Sequence, residues 1–279
     1  MKNLFYLICI FLLVSVSSFV YAQKDTISVI KITLTDGSEF VGQIEEERDS
    51  LISFRTNAGV SINLNKSLIV ETKVIHGTLT GTEFLRNDPN QTRLFFSPTG
   101  KTLAEGKGYF SDYMIFFPFV AYGVTDYITL AGGMTLIPGA TSQLFYIAPK
   151  VRLINKDNLT ISTGVLYVQI EEYNVGVTYG VCTYGNQKFA VTGGLGWGFA
   201  KGEFSSLPLA LLGFELRVSK YVKIISENWI PPETDIIAMM FGIRFFGENL
   251  AADFAMVRAT TSDWSGFPFI PWVGFAYNF

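Results

Sequence analysis

The sequence predicts an all-β protein: a transmembrane antiparallel β-barrel of about twelve strands, preceded by a small β domain. Three observations carry that prediction. The final segment alternates Val273, Phe275, Tyr277 and Phe279 with Gly274, Ala276 and Asn278, so one strand face is apolar and the other small or polar. The chain is 49% hydrophobic and 15% aromatic, with a mean hydropathy of +0.31, yet nothing after residue 22 reads as a spanning helix. From residue 92 onward, apolar residues come in segments of roughly ten, broken by Gly, Asn, Asp and Lys, as lipid-facing strands require. A closed barrel is the other structure that satisfies its backbone inside a bilayer.

The amino end fits an exported protein. Lys2 and Asn3 precede an apolar run over residues 4–20, and Val20-Tyr21-Ala22 offers a small-residue cleavage site before Gln23. That is the layout of a secretory signal peptide, residues 1–22. The other reading is an uncleaved anchor, since the run is close to the lower limit of about 17 residues for a span.

Residues 23–86 read as a small periplasmic β domain. Ile27–Leu34 runs into Asp36-Gly37, a strong hairpin signal, and residues 39–44 follow. Further short strands are expected at 51–56, 60–64 and 68–74. The Asp36-Gly37 turn with Phe40, Gly42 and Ile44 behind it resembles the opening of SH3-like or Sm-like barrels, over about twenty residues. An unrelated small β domain is the alternative.

Asn87-Asp88-Pro89-Asn90 reads as a linker, residues 87–91, leaving 92–279 for the barrel. Residues 92–98 count as its first strand. In residues 127–137, Ile128, Leu130, Met134 and Leu136 should face lipid, opposite Thr129, Ala131, Gly133 and Thr135. In 175–184 the expected outward set is Val175, Val177, Tyr179 and Val181, opposite Gly176, Thr178, Gly180 and Cys182. In 191–199 it is Val191, Leu195, Trp197 and Phe199, opposite Thr192, Gly194, Gly196 and Gly198. Residues 109–122 are aromatic or aliphatic on both faces and leave the inward face open.

Short periplasmic turns are expected at 124–126, 155–158, 185–187, 219–220 and 247–249. Longer outer loops are expected at 99–108, 201–206, 231–234 and 260–268. Both ends of the barrel then lie on the periplasmic side.

The strand ending at Phe279 resembles the closing strand of bacterial outer-membrane β-barrels, whose terminal aromatic residue is part of the signal read by the barrel-assembly machinery. Residues 108–126 resemble a segment of uncharacterised envelope barrel proteins, in which an aromatic strand enters a Gly-Val-Thr-Asp turn. That resemblance spans residues 92–139. It implies a fold and a bacterial outer-membrane location but no activity.

Residues suited to catalysis are sparse. The sole histidine, His76, precedes the barrel, whereas membrane-embedded barrel hydrolases use a barrel histidine; an enzyme would lack its usual base. One histidine and Cys182 make no zinc or iron cluster, so no metal or other cofactor is expected. A net charge of −3 with the acidic run Glu45-Glu46-Glu47 gives no footprint for nucleic acid. Gly194-Leu195-Gly196-Trp197-Gly198 lies within a strand rather than opening a helix, so the glycines read as packing positions and not as a nucleotide loop.

The informative polar set is a candidate lumen charge network: Lys150, Arg152, Glu215, Arg217, Lys223, Glu227, Arg244 and Asp253. Strand parity points these inward, since a Lys or Arg facing lipid at mid-membrane costs about 2–4 kcal/mol. Counting from the 219–220 turn sets Arg217 opposite Lys223, with Glu215 diagonal, and Arg244 level with Asp253. The network either fills and rigidifies a narrow barrel or forms a selectivity ring for small solutes. The first option fits a structural or interaction protein, with the barrel in outer-membrane lipid as an anchor and the amino domain docking a periplasmic protein partner. The alternative is a narrow channel or transporter with a mixed-charge lumen.

Overall fold

The computed structural model describes residues 27–80, 83–232, 234, 236–260 and 269–279, which divide into two compact units at Arg86/Asn87. The expected leader (1–22), most of the expected outer loop at 260–268 and the side chain of His76 lie outside the described residues.

The first unit is a six-stranded antiparallel sheet. Its strands are β1 (Ile27–Leu34), β2 (Glu39–Glu47), β3 (Leu51–Thr56), β4 (Ser61–Asn65), β5 (Ile69–Thr80) and β6 (Glu83–Arg86). Their spatial order is β4-β3-β2-β1-β5-β6, with a 3-10 turn at Lys66–Leu68 before β5. The β1–β2 turn carries Gly37 at φ 83°, the conformation that makes Asp-Gly a hairpin signal. The Ser38 amide donates to Asp36 Oδ1 at 2.8 Å and holds that carboxyl below its ordinary range. Ile32, Ile52, Phe54 and Leu64 are buried together as the core of this sheet.

The second unit is a closed antiparallel barrel of twelve strands. They are β7 (Gly108–Tyr113), β8 (Phe117–Thr125), β9 (Ile128–Met134), β10 (Phe145–Lys156), β11 (Leu159–Ile170), β12 (Tyr173–Gly185) and β13 (Phe189–Ala200), then β15 (Leu209–Ser219), β16 (Val222–Ile230), β17 (Ala238–Phe246), β18 (Leu250–Ala259) and β19 (Ile270–Asn278). A two-residue flap, β14 (Glu203–Phe204), hangs on β13. Each wall strand pairs with the next, and β19 closes on β7, with Gly274 opposite Tyr113 and Asn278 opposite Tyr109. The five expected short turns are present, on the same side as the paired ends Gly108 and Phe279, whose backbones exchange hydrogen bonds of 3.0 and 2.9 Å.

The outer surface is a continuous apolar belt. Leu130, Ile147, Leu195, Trp197, Phe241, Phe245, Phe254, Met256 and Phe275 are all exposed large hydrophobics. A water-soluble surface does not carry such a patch. Closed strands with an apolar outside are a solution that a bilayer permits. The protein is a bacterial outer-membrane β-barrel.

Three sequence expectations are corrected here. Residues 92–98 are not a wall strand: the count of twelve is reached without them, because 108–125 supplies two strands. The hairpin between β7 and β8 turns at Met114 and Ile115, with φ of 53° and 69°. Such angles usually signal Gly or Asn, and β-branched residues rarely adopt them, so the turn has no signature in the sequence. Residues 99–108 are not an outer loop, since they run inside the barrel to the turn side, as described below. Finally, β12 faces the opposite way from expectation. Val181 and Thr183 are 3% and 1% exposed and point inward with Tyr179, while Gly176, Thr178, Gly180 and Cys182 face out. The bare outward Gly176 is paired with Tyr167 on one side and Phe199 on the other, and their rings stack across it at 6.5 Å. Neighbouring aromatics thus cover the glycine, a choice that single-strand parity cannot see.

Candidate functional site

The lumen is built in rows. Antiparallel register sets Arg217, Lys223, Arg244 and Asp253 side by side across β15 to β18. Two residues further along each strand come Glu215, Ile225, Gly242 and Ala255, and two further Gly213, Glu227, Met240 and Val257. At a strand rise of about 3.3 Å per residue the three rows climb roughly 13 Å from the turn side.

Into this half of the barrel runs the chain segment that precedes β7. Asp88 and Asn90 are fully buried, which corrects their reading as a linker. The reason is charge: Asp88 accepts from Lys223 Nζ at 3.0 Å and Arg244 Nη1 at 3.3 Å. The Asn90 Oδ1 takes a hydrogen bond from Asn278 at 3.2 Å. The chain then folds into a narrow loop, closed by Leu94 N to Ser97 O at 2.8 Å and Thr99 N to Thr92 O at 3.0 Å. Leu94 and Phe95 pack on Ile225, Met240 and Ala255 of the rows above. A Cβ on Gly213 would collide with the Leu94 side chain, so this wall glycine is the space the plug fills.

Glu227 anchors the tip of the loop. Its carboxylate accepts from the amides of Phe95 and Phe96 at 2.9 Å each, from Ser97 N at 3.1 Å and Ser97 Oγ at 2.6 Å, and from Trp229 Nε1 at 2.8 Å. Successive amides of a tight turn converge on one anion in this way. Arg244 is the counterpart at the base. It is 0% exposed, donates to Asp253 Oδ1 at 2.7 Å, and also serves the carbonyls of Asn90, Arg93 and Leu94. Asp253 in turn holds Arg93 of the plug at 2.6 Å.

The return path lies against the opposite wall. Lys150 Nζ donates to the carbonyls of Thr92 and Thr99 at 2.8 and 3.2 Å. Gly100 N donates to Thr183 Oγ1 at 2.8 Å, and Ser162 Oγ donates to Gly100 O at 2.5 Å. A side chain at Gly100 would strike the Thr160 carbonyl. Leu103 N then reaches Thr129 Oγ1 at 2.9 Å and Glu105 N reaches Asp126 Oδ1 at 3.0 Å, back at the turn side where β7 begins.

Of the residues singled out in sequence, Glu215, Lys223, Glu227, Arg244 and Asp253 meet around the plug, with Lys223 also bound to Glu215 at 3.0 Å. Lys150 meets it from β10. Arg217 lies at the rim of this cluster, donating to Ser219 O and Lys220 O at 3.2 and 2.7 Å with its guanidinium 4.9 Å from the Phe246 ring centre. Arg152 is outside the cluster, 5.1 Å over the ring of Tyr127 at the turn end. Sequence reasoning missed Asp88, Asn90, Arg93 and Ser97. Arg93 beside the apolar run Leu94-Phe95-Phe96 is the signal that the sequence offers for them.

Beyond the plug tip lies a cavity of about 160 Å³. Phe96 of the tip floors it, and Tyr113, Phe119, Tyr146, Leu166 and Trp229 are among its walls. Arg93 and Lys150 also line it. Among the described residues of the barrel unit, five buried cations (Arg93, Lys150, Arg217, Lys223, Arg244) face four buried carboxylates (Asp88, Glu215, Glu227, Asp253).

No protein-family model matches the sequence, and no curated protein matches it. Among solved structures the chain is similar to the KdgM porin, with a TM-score of 0.50 at 10% identity, over 62% of this chain and 99% of that one. The same porin in complex with disordered oligogalacturonate gives 0.49 at 10% identity, over 62% and 98%. The outer membrane protein Omp33 of Acinetobacter baumannii gives 0.39 at 10% identity, over 62% and 95%. At such identities the likeness is one of fold: an outer-membrane β-barrel.

Proposed function

We propose that this protein is a plug-closed outer-membrane anchor that carries its amino-terminal sheet on the periplasmic side for docking an envelope partner. The observation behind this reading is Glu227, whose single buried carboxylate gathers four donors of the 95–97 loop and so locks a chain segment across the lumen. Every charge of the second lumen row and below that could have formed a selectivity ring is consumed by the plug or by a wall partner. The amino-terminal unit supports a docking role, since Val70 and Val74 of β5 are 67% and 57% exposed. Its strand order and the 3-10 turn before β5 support the SH3-like reading of that unit. The strand ending at Phe279 serves as the assembly signal in this scheme. The decisive experiment is planar-bilayer recording of the refolded full chain. Folded protein that inserts and stays silent supports the anchor; discrete conductance steps from the wild-type chain overturn it.

A solute channel is the second reading, favoured by the porin-like fold and by the cavity beyond the plug. It requires the plug to leave or shift, so conductance would appear only when the contacts to Glu227 are broken.

A further inference from the structure

The cavity beyond the plug tip is not needed for anchoring, and its chemistry is specific. Its walls are aromatic and aliphatic, yet two cations line it. Lys150 is 5% exposed, and among the described residues its ammonium meets only the neutral carbonyls of Thr92 and Thr99 within hydrogen-bond distance. Arg93 is 3% exposed; Nη1 is used by Asp253 and two carbonyls, but Nε and Nη2 are buried without a hydrogen-bond partner among the described residues. Its guanidinium lies 5.3 Å from the ring centre of Tyr113 and 6.0 Å from that of Tyr109. Buried donors without partners cost free energy that a bound acceptor recovers. Two cationic side chains on an otherwise apolar wall favour an acceptor that is itself an anion, since charge-assisted hydrogen bonds are the stronger ones.

We infer that the cavity is a binding site for a small amphiphile with one anionic head, such as a medium-chain or aromatic carboxylate. The apolar body sits among Phe119, Tyr146, Leu166 and Trp229, and the carboxylate sits between Arg93 and Lys150. A cavity near 150 Å³ already accommodates a benzene-sized body. The inference is independent of the anchor reading: binding here neither requires nor excludes passage through the plug.

The test is calorimetric titration of the full chain in lipid nanodiscs at pH 6.5 with octanoate, octan-1-ol and octyltrimethylammonium, with empty nanodiscs subtracted. Octanoate should bind saturably at one site and at least about tenfold more tightly than octanol, the ratio expected of one charge-assisted hydrogen bond. The ammonium should show no saturable binding. Ala148→Phe fills the cavity from β10 without touching a charge and should abolish octanoate binding. Lys150→Met should bring octanoate down to the level of octanol. The inference is overturned if the folded wild type shows no saturable octanoate binding, if octanol binds as tightly, or if Ala148→Phe leaves octanoate affinity unchanged. Should Lys150→Met fail the heat-modifiable gel assay for folding, the octanol comparison and Ala148→Phe decide.

Discussion

Lys223 on β16 grips Asp88, 135 residues earlier in the chain, at 3.0 Å, and both side chains are almost wholly buried. This contact ties the segment that precedes β7 to the wall of the barrel. With Arg244 on Asp88 at 3.3 Å and Glu215 on Lys223 at 3.0 Å, it forms a chain of alternating charge in which each member has at least one opposite neighbour. Its removal should be felt both as stability and as plug position.

Asp88→Asn leaves Lys223 with Glu215 and Arg244 with Asp253, so the loss should fall near the lower end of the roughly 3–5 kcal/mol typical of breaking a buried pair. Urea unfolding in detergent should show the midpoint falling. A cysteine placed at Asn90 should also label faster with a water-soluble maleimide in that background. Unchanged stability and labelling would mean that the contact does not hold the plug.

Glu227→Ala orphans three backbone amides, the Ser97 hydroxyl and the Trp229 indole N–H, at about 1–3 kcal/mol for each buried group left unsatisfied. The loop should detach from β16, and brief conductance steps should appear in planar bilayers where the wild type is silent. A folded, silent Glu227→Ala barrel would leave the channel reading without support.

Gly213→Leu places a side chain where Leu94 sits, and overpacking of this kind typically costs about 1–3 kcal/mol. The same substitution at Gly193, where a Cβ would meet only the Leu211 carbonyl at 3.9 Å, should be far milder. Comparing the two by heat-modifiable gel mobility separates loss of plug seating from a general cost of losing glycine.

Cys182 distinguishes the two possible faces of β12. Facing out, it should react with a membrane-partitioning maleimide and resist a charged one added to intact proteoliposomes. The reverse pattern would restore the inward assignment.

Deleting residues 25–74 should leave membrane insertion and heat-modifiable mobility intact while abolishing co-purification of any envelope partner. A truncated chain that keeps its partner would sink the docking role.

The amino-acid pattern by itself determined the barrel, its five short turns, the outward faces of β9, β13 and β19, and the inward aim of Glu215, Arg217, Lys223, Glu227, Arg244 and Asp253. These follow from local rules, because a strand has a period of two and lipid rejects charge. Only the tertiary structure decided what those charges meet. Residues 88–100 combine turn formers with a short apolar run, and nothing local distinguishes a linker and strand from a loop folded back into a lumen. That choice rests on ion pairs spanning more than a hundred residues. The orientation of β12 and the turn at Met114 and Ile115 were likewise set by neighbours across the sheet, where rings on β11 and β13 cover a bare glycine and closure of β7 on β19 fixes the hairpin.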